Sequence, residues 1–491
     1  MELKPENRKV RNAIIGVISC LAIILAVCII IGIGNKTKTG DGNGNQTTVN
    51  QGKAEDESAS NQTGSNQQAS GEQTTVEPTS QTDTQSTQQS QSETSEQSMQ
   101  QSETPEQSVQ QSATSTQSSS QQQTTPPQSS SQQPSTPSQP SPAETIDEKV
   151  NRIVSEMTLE EKVYQMLIVT PEALTGKGTV TQAGQTTKDC INKYPVGGII
   201  YFASNIVNES QITAMLSNTQ KYSLERTGLK MFTCIDEEGG RVARIGNNTA
   251  FPVETFPDMA YINGEDEAYH VGDTIGSYLS KYGFNVDFAP CADVITNSEN
   301  KVIGTRSFGT DSGIVSKMSL SVARGLKGHG ILVTYKHFPG HGATVGDTHE
   351  GFAYTDKTLQ ELIKDELVPF KSAADNGIDM VMVAHISVPN VIGDNTPCSL
   401  SYKMITGVLK EQLGFKGLIV TDALNMGAIA NQYASETAAV MAVKAGNDLL
   451  LMPKNFTAAA QAIVDEVRSG NISEERINES VRKIVRAKLQ L

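Results

Sequence analysis

None of the six cysteines stands in a C-x-x-C spacing: Cys20 and Cys28 lie in an apolar run, while Cys190, Cys234, Cys291 and Cys398 are scattered. A disulfide framework and a cysteine-built metal site are therefore not indicated, and the pattern reads as buried thiols with one pairing left open. Nor is there a basic stripe to offset the formal charge of −15, of which −9 falls in residues 35–145, −8 in residues 146–491 and +2 in residues 1–34. That distribution argues against a nucleic-acid partner, whose phosphates demand clustered Lys and Arg, and suits a neutral or mildly charged ligand. No G-x-G-x-x-G follows the first β-like run, which weakens a doubly wound nucleotide-binding sheet. An H-x-H is missing there too, because Met166–Thr170 runs into Pro171-Glu172. A metal-dependent barrel hydrolase would need that ligand pair, so neither a metal nor a cofactor is expected.

Charge is absent from Ala13 to Gly34, about twenty-two residues that follow Lys4, Arg8, Lys9 and Arg11, and this length spans a bilayer. The bases predict a cytoplasmic tail at residues 1–12, a transmembrane anchor at 13–34, and everything after Gly34 on the outer face of the cell membrane. A cleaved signal peptide is disfavoured because no A-x-A site follows. A lipoprotein is the other alternative, since Leu25-Ala26-Val27-Cys28 resembles a lipobox apart from Val27. Residues 35–145 contain no aromatics and almost no aliphatics. This Gln/Ser/Thr/Pro tract cannot offset chain entropy and reads as a disordered linker. As a flexible coil it reaches roughly 55 Å root-mean-square, with a contour limit of about 370 Å.

The globular part begins at residue 146. Thr158 followed by Glu161 predicts a capping box and a helix start. Eight β-like runs then recur: Met166–Thr170, Gly197–Phe202, Met231–Ile235, Val286–Phe288, Ile331–Tyr335, Met380–Ala384, Leu418–Thr421 and Leu449–Met452. Amphipathic stretches lie between most of them, among them Ile212–Leu224, Ala268–Tyr282, Ile314–Gly328, Leu359–Asn376, Lys403–Leu413 and Glu436–Ala445. Eight alternations predict an α/β fold, a (β/α)8 TIM-type barrel, with chemistry just past the carboxyl ends of the strands. Polar groups recur at those ends: Asp236, Asp287, Lys336 with His337, His385 and Asp422. The densest stretch, Ile331 to His349, reads ILVTYKHFPGHGATVGDTH and delivers His341, Asp347 and His349 on one glycine-rich loop. A carboxylate two residues before a histidine suits an oriented imidazole that exchanges protons near neutrality. Each group alone also has a structural explanation. Asp287 would cap a helix, Arg306 would pair with a buried acid such as Asp287, and His341 would brace the loop.

Five segments together resemble glycoside hydrolase family 3, in particular its single-barrel β-N-acetylglucosaminidase (β-hexosaminidase) branch. They are Ile235-Asp236-Glu237-Glu238-Gly239-Gly240-Arg241-Val242-Ala243-Arg244, Gly304-Thr305-Arg306-Ser307-Phe308, Lys336-His337-Phe338-Pro339-Gly340-His341-Gly342, Asp347-Thr348-His349, and Val420-Thr421-Asp422-Ala423-Leu424-Asn425-Met426. The likeness covers about residues 146–491, and no second, sandwich domain follows within the sequence. The resemblance implies a retaining exo-hydrolase for terminal β-linked N-acetylglucosamine, and the expected anchor and tether, which place it beside a cell wall, point to peptidoglycan fragments as the carbohydrate substrate. It further implies Asp422 as nucleophile, His349 as acid/base held by Asp347, and Asp236, Arg244, Arg306, Lys336 and His337 as the grip on the terminal sugar. A monomer is expected. The alternatives are a β-glucosidase or a phosphorylase of the same family, a metal-dependent barrel hydrolase, and a non-catalytic wall-binding module.

Overall fold

A computed structural model of the chain describes residues 144–491. The expected anchor and the tract up to residue 143 lie outside the described residues. Among the described residues no helix is long and apolar enough to cross a membrane.

Eight strands form where the apolar runs predict them: β1 Leu167–Val169, β2 Gly198–Ile200, β3 Phe232–Ile235, β4 Val286–Asp287, β5 Leu332–Phe338, β6 Met380–Val383, β7 Leu418–Thr421 and β8 Leu450–Leu451. Every residue in them is buried, as a parallel sheet covered on both faces requires. Consecutive strands pair in parallel from β1 to β7, and β8 pairs with β1. The circle nearly closes, because Thr421 N donates to Leu449 O at 3.0 Å and Val420 bridges Leu449 in parallel. An order without a reversal point rules out the doubly wound sheet and defines a (β/α)8 barrel.

Helices cover the outside. The Thr158–Glu161 capping box is present, and a second one, Thr145–Glu148, opens an additional helix at Ile146–Glu156. Two neighbouring helices, Glu265–Tyr282 and Ser312–Gly328, approach backbone to backbone. A Cβ at Gly272 would lie 2.1 Å from Val322 O, and one at Gly325 would lie 2.3 Å from Asp273 N. The amphipathic stretch Leu359–Asn376 is not one helix but two, Leu359–Lys364 and Val368–Asp375, interrupted where Glu366 turns inward. Its buried Oε1 accepts hydrogen bonds from Thr296 and Lys357. At the amino-terminal end of the barrel Lys488 is buried, and it donates to Gln165 Oε1 at 2.7 Å. Burial pushes that ammonium down to about 7. Cys190, Cys234, Cys291 and Cys398 are all free, and the last three are buried.

Candidate active site

The carboxyl ends of the strands open into a cleft of about 400 Å³, lined by Asp236, Glu238, Arg244, Arg306, Lys336, His337, His349 and Asp422 among others. Seven of the eight residues to which the resemblance gives a site role share this cavity. Asp347, the eighth, stands behind His349.

Five charges form one chain of alternating sign. Arg244 Nη2 lies 3.4 Å from Asp236 Oδ2, and Lys336 Nζ donates to Asp236 Oδ1 at 2.8 Å. The same ammonium lies 2.6 Å from Glu238 Oε1, while Arg306 donates to Glu238 through Nε at 2.8 Å and Nη2 at 2.6 Å. Burial opposes the charge on Glu238, but Arg306 and Lys336 outweigh it and hold the carboxyl well below the usual range. Lys336 is likewise penalised by burial, yet Asp236 and Glu238 keep it cationic. Glu238 was not among the residues singled out, although it stands two positions after Asp236, the spacing that returns an extended chain to the same face. The intervening Glu237 points into the following loop, where it accepts the N–H groups of Arg244, Ile245 and Gly246 and the hydroxyl of Tyr278. That clamp fixes the loop carrying Arg244.

β5 runs on past Tyr335 through Lys336 and His337, and its register with β6 shifts between Tyr335 and Phe338. A bulge of this kind re-aims side chains, and here two successive residues reach one cleft. The His337 ring is set by Asp293, whose Oδ2 lies 2.6 Å from Nδ1. Asp293 also accepts the N–H groups of His337 and His341 and the Cys291 thiol. Although burial opposes its ionisation, these partners bring Asp293 down to about 2. With Nδ1 committed, His337 presents Nε2 toward the cleft, 3.5 Å from Arg306 Nη2. No local motif announces Asp293. Cys291, Asp293 and His337 are the one trio among the described residues with donor atoms close enough for a metal ion. They already bond to one another, and burial pushes the Cys291 thiol up, against the thiolate that a metal would need.

Arg306 does pair with a buried acid, but the acid is Glu238 and not Asp287. Asp287 accepts Glu237 N at 2.9 Å, has no partner for Oδ2, and is driven toward its neutral form by burial. It caps no helix. His341 braces the loop, with Thr344 Oγ1 3.0 Å from Nδ1 and Thr348 Oγ1 3.1 Å from Nε2.

Asp422 leaves β7 directly. Its N–H donates to Val383 O at 2.9 Å and its Oδ1 accepts Ala423 N at 2.8 Å. Burial opposes ionisation, but His385, His337, the Ala423 N–H and His349 together hold the carboxyl below its ordinary value. His385 itself is buried between Ser399 Oγ and Ala423 O, so both ring nitrogens are occupied. Across the cleft, His349 Nδ1 lies 2.8 Å from Asp347 Oδ1, which also accepts the His349 N–H at 2.9 Å. Partial burial works against the Asp347 charge, and the His349 N–H and ring overcome it, holding the carboxyl low. With Nδ1 engaged, Nε2 is the nitrogen left to exchange a proton. The His349 side chain is 63% exposed, so that exchange is open to solvent.

A parallel barrel whose carboxyl-end cleft joins an ionised carboxylate, a carboxylate-oriented histidine and a fixed array of hydrogen-bonding charges has the parts of a barrel-enzyme site for nucleophilic and acid/base chemistry. The chain belongs to glycosyl hydrolase family 3: the profile of the Glycosyl hydrolase family 3 N terminal domain matches residues 158–487. It is 32% identical over 345 residues to beta-hexosaminidase A of Pseudoalteromonas piscicida, covering 64% of this chain and 57% of that protein. It is 30% identical over 306 residues to beta-hexosaminidase LpqI of Mycobacterium tuberculosis, covering 61% and 77% respectively. A solved family 3 beta-N-acetylglucosaminidase from Paenibacillus sp. str. FPU-7 superposes with a TM-score of 0.64 at 34% identity, over 68% of this chain and 62% of that one. The chain thus spans little more than half the length of the Pseudoalteromonas relative.

Proposed function

We propose that the chain is a retaining exo-β-N-acetylglucosaminidase that removes terminal β-linked N-acetylglucosamine. The observation that carries this reading is the pairing, across one cleft, of ionised Asp422 with a histidine whose Nδ1 is engaged by Asp347. Asp422 attacks the anomeric carbon, and the bond to the departing oxygen breaks as His349 Nε2 hands that oxygen its proton. The resulting glycosyl ester is then hydrolysed: His349 takes a proton from water, the water oxygen bonds to the anomeric carbon, and Asp422 leaves as carboxylate. A histidine suits both halves because its ordinary pKa lies near neutrality. Asp236, Arg244, Arg306, Lys336 and His337 hold the terminal sugar, with carboxylate accepting hydroxyl hydrogens and the cations donating to hydroxyls and the N-acetyl carbonyl.

The relatives named beta-hexosaminidase and the beta-N-acetylglucosaminidase structure support this sugar preference. The charge-free run at residues 13–34 and the polar tract after it support a further reading, an enzyme tethered outside the membrane that acts on peptidoglycan fragments. The test uses paired p-nitrophenyl glycosides. The β-N-acetylglucosaminide is cleaved far faster than the β-glucoside, and the reverse order sinks the sugar assignment.

A further inference from the structure

The acid/base loop is held by the nucleophile's own loop. Val345 and Tyr354 bridge in antiparallel fashion and close off the segment carrying Asp347 and His349, while Val345 and Phe352 remain exposed. The segment buries little apolar surface at its rim, so packing alone does not fix its tip. Besides the Thr348–His341 contact, the tip is bonded to the residues just after Asp422. Gly427 N donates to His349 O at 3.1 Å, and Ala428 N donates to Thr348 O at 3.1 Å. These two amides open the short helix Gly427–Ala430, where a first turn has no internal acceptor for them. The approach is tight: a Cβ at Gly427 would sit 2.6 Å from Glu350 O and 2.8 Å from His349 O.

We propose that Gly427 and Ala428 form a latch that sets the distance between His349 and Asp422, making them positioning residues for the proton transfer. The inference rests on the roles given to Asp422 and His349 above. Only the N–H groups take part, so the two bonds do not depend on side-chain chemistry, but position 427 must lack a Cβ. Among the described residues the segment makes one other hydrogen bond to the nucleophile's loop, from Asn431 Nδ2, 3.5 Å from Glu350 O. Releasing the latch leaves Asp422 and the sugar-holding charges in place and lets His349 drift.

The test is Gly427→Ala in the full chain, assayed on N,N′-diacetylchitobiose, whose leaving group needs a proton, and on the dinitrophenyl β-N-acetylglucosaminide, whose leaving group does not. A positioned general acid contributes 10²–10⁴-fold, so kcat/KM, which reports formation of the glycosyl ester, falls on the order of 10²-fold on the disaccharide and less than about threefold on the dinitrophenyl substrate. In the His349→Ala background Gly427→Ala adds nothing further on the disaccharide. Equal losses in kcat/KM on both substrates, or an added loss in that background, overturn the latch. Should Gly427→Ala not fold, hydrogen exchange in the unaltered protein decides: the Gly427 and Ala428 amides exchange slowly, and exchange at the free-peptide rate overturns the latch. Asp422→Ala separates the two levels. If it still turns over the dinitrophenyl substrate at the parent rate, the catalytic assignment fails and not merely the latch.

Discussion

Glu238→Gln removes one charge from the middle of the five-group chain while keeping its shape. In the parent, Glu238 is 2% exposed, Lys336 3% and Arg306 12%, so almost no water is present to screen the loss. Breaking a buried ion pair by removing one partner costs about 3–5 kcal/mol, because a charge is left uncompensated. Lys336 keeps Asp236 at 2.8 Å, which places the estimate at the lower end, about 3 kcal/mol. Urea unfolding at pH 7 should show this as a lower midpoint with an unchanged slope. The pH dependence carries a sign. A carboxyl held below its unfolded value of about 4.3 gives stability that is present above that pH and lost as pH falls through the folded value. The gap between parent and variant therefore closes on acidification below about pH 4. Arg306 and Lys336 also lose their shared anchor, so KM should rise about tenfold or more, as it does when an oriented binding group is released. A variant with the parent's midpoint at pH 7 and an unchanged KM would refute the charge-chain argument.

His349→Ala should lower kcat/KM by about 10²-fold or more on disaccharides and far less on dinitrophenyl glycosides; an equal loss of kcat/KM on both removes His349 as the acid. Since Asp422 is held below its ordinary value, the acid limb of kcat/KM should lie below the usual aspartate range, with activity lost only as pH falls through that depressed value; a limb near 5 contradicts this. Lys488 is lowered to about 7, so the unfolded chain binds more protons between that pH and about 10.4, and stability rises with pH across this window. Lys488→Met should therefore stabilise at neutral and acidic pH, by about 5 kcal/mol at most less the Gln165 hydrogen bond, and the gain should vanish by about pH 10; a pH-independent difference refutes it. With phosphate present, release of free sugar should persist; accumulation of sugar-1-phosphate would make the chain a phosphorylase. Full activity should survive EDTA, and a loss restored by zinc would revive the metal-dependent reading.

The barrel was legible because parallel strands are buried on both faces and so read as short apolar runs, and all eight fall within the predicted segments or, for β5, overrun one end. β5 is the informative exception. Apolar character stops at Tyr335, but the strand continues through Lys336 and His337 because Asp236, Glu238 and Asp293 satisfy those side chains from other strands and loops. Such partners are set by the fold and not by spacing, which is why Asp293 stayed hidden. Glu238 could have been found from its position two residues after Asp236. The break at Glu366 was masked by amphipathic character on both sides. The D-x-H pair was visible because both members are local, whereas the hold of Gly427 on that loop joins residues nearly eighty positions apart in sequence.

The proposed mechanism passes through a glycosyl ester on Asp422. Reacting the chain with an activated 5-fluoro-N-acetylglucosaminyl donor, which slows the second step, and digesting with trypsin tests it most directly. One added sugar is expected on the peptide Gly417–Lys444, located at Asp422 on fragmentation. A label on any other residue, or turnover with no covalent species at all, would contradict it.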